Sequence, residues 1–161
     1  MRSLILLAIL VLVSGCGERI RELTGNSSRV QPDQWAWLEG VVEADLAEAS
    51  LPIGARVAAG VIVARADGEV ISTRPIMQAA MRGAVAAGAV QVESAGQVQV
   101  ESGGKAGWLI TGEINVQSYE EGRTAMKRYV CELRLVSTAD RSVVWRQSYV
   151  IRNQSEQTRW K

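Results

Sequence analysis

Cys16 closes the string Leu12-Val13-Ser14-Gly15-Cys16, and its setting implies one chemistry above all, acylation of a thiol. Arg2 gives a positive start, residues 4–13 are an unbroken apolar run of ten, and Ser14-Gly15 is a small-residue site that a lipoprotein signal peptidase accepts. The run is too short to cross a bilayer, which takes about 20 apolar residues. The pattern predicts that residues 1–15 are a signal peptide and that Cys16 becomes the lipid-bearing first residue of the mature chain.

The other residues able to do chemistry are poorly placed for it. The chain has no histidine, so the commonest general base and the commonest zinc ligand are both missing. Cys131 is the only other cysteine, and with Cys16 acylated it has no disulfide partner. It falls on an inward position of a strand, where a free thiol behaves as a small buried apolar residue. Ser102 with Lys105, and Ser118 with Lys127, are near in sequence but match no Ser-Lys catalytic spacing. Glu120-Glu121 are neighbours in a turn, an arrangement that solubilises a loop tip. Gly103-Gly104 precede Lys105, but no Lys-Ser or Lys-Thr follows to complete a phosphate-binding loop. The expectation is a protein that is not an enzyme and holds neither metal nor cofactor.

Removing residues 1–15 leaves 146 of the 161 residues, enough for one modest core. Only Arg2 is lost among the basic residues, so 17 of them balance 17 acids in the mature chain, and no overall field favours nucleic acid. The balance is local. Residues 122–161 hold nine Lys and Arg against Glu132, Asp140 and Glu156. Phe is absent, and the five Trp are expected to add bulk to a core of Val, Ile and Leu.

Residues 16–32 comprise the lipidated cysteine and a polar stretch ending in Pro32, which reads as a short flexible tether. Such a tether reaches at most about 55 Å extended and typically about 20–25 Å when flexible. Residues 33–161 are expected to form one domain. Asp33 is placed to cap a helix in which Trp35, Leu38, Val42 and Ala49 recur with Val41 and Leu46. A small, partly β-branched run at 55–65 predicts a central strand, and Asp67-Gly68 a turn. Ser72 or Thr73 opens a second helix with Pro75 in its first turn; Ile76, Met77, Ala80, Met81, Ala84 and Val85 form its apolar face, and Gly88 stops it. The string Gln-Val-Glu-Ser, at 91–94 and again at 99–102, predicts two short strands around Ala95-Gly96. Strands at 107–117, 126–136 and 143–152 then make an antiparallel meander. The fold class is therefore α/β: a mixed sheet of four or five strands ending in a meander, with helices packed on it.

Alternation assigns the faces of the last two strands. Tyr129, Cys131, Leu133 and Leu135 point to the core, and Arg128, Glu132 and Arg134 away from it. In the final strand Val143, Trp145, Tyr149 and Ile151 share one side, with Val144, Arg146, Ser148, Val150 and Arg152 on the other. Arg128, Arg134, Arg146 and Arg152 thus form a surface row suited to partner carboxylates.

The helix at 73–88, the strand Gly107-Trp108-Leu109-Ile110-Thr111-Gly112-Glu113-Ile114, and the pair Tyr129-Val130-Cys131-Glu132-Leu133-Arg134-Leu135-Val136 and Ser142-Val143-Val144-Trp145-Arg146 together resemble the LpoB family. These are outer-membrane lipoproteins that activate a bifunctional penicillin-binding protein. The same strand and helix plan is shared by the N-terminal domain of TolB and by CsgG-like lipoproteins. The resemblance spans roughly residues 33–155, and departs from the family where residues 94–105 leave room only for a hairpin or loop and where the tether is short. It implies a lipid-anchored periplasmic binding module acting on a cell-wall synthase, and the resemblance of Cys16-Gly17, with no Asp after the cysteine, to sorted bacterial lipoproteins implies the outer membrane. The alternative is a structural or accessory subunit of an envelope assembly, with other envelope lipoproteins as partners, which the short tether suits better.

Overall fold

The computed structural model describes residues 20–25, 29–66, 68–92 and 107–154. Its elements run β1 (Ile20–Gly25), α1 (Pro32–Ala47), β2 (Arg56–Arg65), α2 (Arg74–Ala86), β3 (Val90–Gln91), β4 (Trp108–Glu121), β5 (Thr124–Ser137) and β6 (Val143–Gln154). The six strands form one mixed sheet in the order β1-β6-β5-β4-β2-β3. The α/β class and the closing antiparallel meander are as expected, and the sheet has one or two strands more than expected.

One additional strand comes from the stretch read as tether. Residues 20–25 run parallel to β6, with Ile20 beside Ser148 and Gly25 beside Asn153. The sequence Ile-Arg-Glu-Leu-Thr-Gly alternates, so Arg21 and Leu23 face the helices while Glu22 faces away. Arg21 forms an ion pair with Asp45 of α1.

α1 opens at Gln31 and Pro32 rather than at Asp33, which lies in its first turn. Pro32 suits a first helical position because its missing N–H has no intrahelical acceptor there. The Gln31 N–H donates to Gln34 Oε1 at 2.9 Å. Gln34, Leu38, Val42 and Leu46 recur every four residues and are the buried stripe. Gln34 meets Asn153, itself fully buried, in a two-way amide pair of 2.8 and 3.1 Å.

α2 packs against α1 and the sheet through Ile76, Ala79, Ala80, Met81, Gly83 and Ala84. That face is rotated from the expected one, and Val85 is exposed. Close approach of the two helices selects it: a Cβ on Gly83 would lie 2.4 Å from the Glu43 carbonyl oxygen. Gly88 ends the turn after α2 at φ +92°, the left-handed geometry expected of it. β2 lies one strand in from the edge, flanked by β4 along most of its length and by β3 only at Arg56 and Val57. The expected strand around residues 97–101 lies outside the described residues.

Between helices and sheet the core is Leu, Ile and Val with Tyr129, Cys131 and Tyr149. No described Trp is fully buried; Trp35, Trp37, Trp108 and Trp145 pack at its margin. Indoles keep one edge wet where two thin layers leave little depth to bury them.

Candidate partner-binding face

Both helices cover the same side of the sheet, so among the described residues no helix covers the other side of β4, β5, β6 and β1. Register fixes what that open face carries. Arg134 lies opposite Arg146 and Arg128 opposite Arg152, with Glu132 opposite Ser148 between them. The four arginines expected to form a row do therefore share one face. β4 adds Thr111, Glu113, Asn115 and Gln117 beside Arg134, Glu132, Val130 and Arg128.

The row is not a bare positive patch. Glu132 Oε2 accepts a hydrogen bond from Arg146 Nη2 at 2.8 Å, and Oε1 pairs with Arg134. Arg152 Nε lies 2.7 Å from Glu22 Oε1 on β1. Burial pushes the Glu132 carboxyl up, but the hydrogen bonds and charges of Arg146 and Arg134 outweigh it and hold the group below the ordinary carboxylate range. Arg128 has its Nε buried with no hydrogen-bond partner among the described residues. Val150 is also on this face yet only 1 % exposed. By register it sits between Val130 and Glu22, under long side chains whose stems exclude water.

The arrangement is a stripe of guanidinium forks tied to two carboxylates, with apolar stems beneath. A partner carboxylate that displaces Glu132 or Glu22 meets a donor already oriented, which gives specificity more than affinity. Glu22 and Glu113 escaped the sequence reading. For Glu22 the signal was the six-residue alternation of β1, too short to stand out beside a polar stretch; for Glu113 it was the pairing register of β4, which sequence does not fix.

The other polar groups singled out among the described residues lie away from that face. Glu69, in the loop between β2 and α2, pairs with Lys127 and accepts a hydrogen bond from the Tyr129 hydroxyl at 2.9 Å. Burial and the neighbouring Glu69 carboxylate push the Tyr129 phenol well above its ordinary range. Lys127 faces Ser118 in register, but an ammonium ion-paired to Glu69 is no base for that hydroxyl. Cys131 is a buried free thiol, pushed up to about 12 by burial, with the Glu132 charge adding to the shift. Asp45 Oδ2 and the Tyr149 hydroxyl are buried without a well-formed hydrogen bond. Burial first, and then the Asp45 charge, raises that phenol strongly. No group of three or more metal-ligating side chains occurs among the described residues. Cys16, Ser102 and Lys105 lie outside them.

Neither a protein-family model nor a curated protein matches the chain. Solved structures resemble it in arrangement. A lipoprotein from Neisseria meningitidis is 13 % identical over 63 % of this chain and 84 % of its own, with a TM-score of 0.45. The LpoB C-terminal domain from Salmonella enterica is 10 % identical over 70 % of this chain and 93 % of its own, with a TM-score of 0.44. A hypothetical protein from Chlamydia trachomatis is 10 % identical over 60 % and 70 %, with a TM-score of 0.39. At this level the likeness concerns the overall course of the chain and says nothing of a partner.

Proposed function

We propose that this protein is a lipid-anchored envelope lipoprotein without catalytic activity, whose domain is an accessory binding module working close to the membrane that holds Cys16. The observation that carries this reading is the place of β1. With Ile20 already in the sheet, only Gly17, Glu18 and Arg19 separate it from Cys16. Those residues extend at most about 14 Å, against the 55 Å that a tether running to Pro32 would allow.

Such a reach favours a subunit or accessory of an envelope assembly over an activator that crosses the periplasm. A cell-wall synthase remains a candidate partner through the resemblance of β4, β5 and β6 to the LpoB family, provided its own domain comes to the anchored one. In either case the open face of β5, β6 and β1 is the docking surface, with Arg128, Arg134, Arg146 and Arg152 meeting partner carboxylates. Gly17 after the anchor favours the periplasmic side of the outer membrane.

The test is in-cell photocrosslinking of the full lipidated chain from Thr111 and Arg146 on the open face, with Gln78 on α2 as the comparison, followed by mass spectrometry. Copies of the protein itself or other envelope lipoproteins captured from the open face support the accessory subunit, and a penicillin-binding protein supports the activator. Crosslinks from Gln78 alone would sink the docking face.

A further inference from the structure

The direction of β1 has a consequence for orientation that goes beyond an anchor at Cys16, though it rests on that anchor. β1 is parallel to β6 and begins beside Ser148, so the chain approaches it from the end where β6 begins, at Val143 and Val144. The same end gathers the starts of β2, β3 and β4 and the turn between β5 and β6. Trp108 pairs with Val57 and with Ser137, and Val90 pairs with Arg56. Backbone hydrogen bonds close the rim, among them Gly54 N to Gly88 O at 2.9 Å and Thr138 N to Gly107 O at 3.0 Å.

This rim is unusually apolar for a surface. Ile53 is 96 % exposed, Val90 51 %, Val143 51 % and Val144 44 %. Arg56 and Arg141 are exposed around them, as are Asp140 and Glu48, so the described residues of the rim carry balanced charge. Asp140 is further occupied by Ser142, whose N and Oγ donate to Oδ1 at 3.0 and 2.7 Å. The far end differs: the hairpin tip between β4 and β5 exposes Glu120, Glu121 and Arg123. Val61, Val63 and Val70 are also exposed, but on β2 and the loop after it, away from where the chain enters.

We propose that this rim is a membrane-seating surface: the exposed side chains of Val143, Val144, Ile53 and Val90 rest in the headgroup boundary of the leaflet that holds the Cys16 lipid. The length of chain fixes the occupant. Cys16 lies at most about 14 Å of chain before Ile20, and Ile20 is level with Ser148, about 16 Å inside the rim at Val143. The acylated cysteine therefore reaches no further than the rim, which has the bilayer surface as its permanent neighbour, and apolar side chains at the edge of a lipid interface gain by leaving water. The consequence is an upright domain whose open arginine face stands along the membrane normal, available to a neighbour anchored beside it.

The measurement uses the full lipidated chain in vesicles of zwitterionic lipid and phosphatidylglycerol carrying a headgroup-depth quencher. A thiol-directed fluorophore is placed by Val144→Cys, by Val143→Cys as a second rim site, and by Glu120→Cys at the far end; Cys131, buried, stays unlabelled in the fold. Intact mass reports the acyl group on each sample. The expected result is quenching several-fold stronger at both rim sites than at position 120. Acylated protein quenched equally at both ends, or more at position 120, overturns the seating while leaving the anchor intact. Absence of the acyl group overturns the anchor itself, and the seating with it.

Discussion

Arg21 of β1 and Asp45 of α1 form an ion pair across the boundary between sheet and helices. The pair ties an edge strand to the helix that follows it, and Asp45 is the more buried partner, its side chain 10 % exposed against 41 % for Arg21. Charge-assisted contacts of this kind contribute about 1–3 kcal/mol when one partner is desolvated, and the exposed arginine puts this one at the lower end. Asp45→Ala is therefore expected to cost about 1 kcal/mol. Its sharper signature is local: amides of residues 20–25 should exchange faster while those of β5 keep their protection, and limited proteolysis should gain sites before Pro32. Unchanged exchange in β1 would show that the strand is held by its ladder with β6 alone.

Glu132 on the open face and Glu69 beside Tyr129 together predict an acid limb. Glu132 and Glu69 both titrate below the ordinary value of 4.5, because hydrogen bonds and charges from Arg146 and Arg134, and from Lys127 and Tyr129, outweigh burial. A depressed folded-state pKa gives stability that is complete above the unfolded value and lost as pH falls through the folded one. Unfolding midpoints should therefore drop below about pH 4.5. Glu132→Gln and Glu69→Gln should each flatten that drop, with about 1 kcal/mol or less lost at neutral pH because the ion pairs are partly solvated. A wild-type acid limb in both variants would refute the assignment.

Much of this was legible in the sequence, and the failures have physical causes. The meander was readable because β5 alternates cleanly between core and solvent, Tyr129 to Leu135 against Arg128 to Arg134, and one register places every side chain. α2 was readable as a helix but not in its face: Val85 and Gly83 are two positions apart, and only the approach of α1 to within a glycine's width chooses between them. β1 was missed because an edge strand satisfies its partner on one side only and needs few apolar residues; Leu23 and Arg21 carry its inner face. The arginine row was visible, whereas its neutralisation by Glu22 depended on that missed strand.

Cys131 should be silent in the native protein. A buried thiol raised to about 12 holds almost no thiolate near neutral pH. Alkylation by iodoacetamide at pH 8 should be slower than for an unfolded control by orders of magnitude, and should follow the unfolding transition in denaturant. Fast native alkylation would reopen the question of a reactive cysteine.

Two glycines separate propensity from packing. Gly40 and Gly83 both lie inside helices, and replacing a helical glycine by alanine gains about 0.5–1 kcal/mol where there is room. A Cβ at Gly40 meets nothing within 4 Å, so Gly40→Ala should raise stability by about that amount. At Gly83 the same atom would lie 2.4 Å from the Glu43 carbonyl oxygen and 2.8 Å from Leu46 Cβ. Backbone cannot yield as a flexible side chain does, so α1 must move off α2, and Leu38, Val42 and Leu46 lose their seat with it. Overpacking of this kind costs about 1–3 kcal/mol, which exceeds the propensity gain. Gly83→Ala should thus destabilise while Gly40→Ala stabilises, in the same urea titration. Equal shifts of one sign would mean that the two helices are not packed as closely as Gly83 requires.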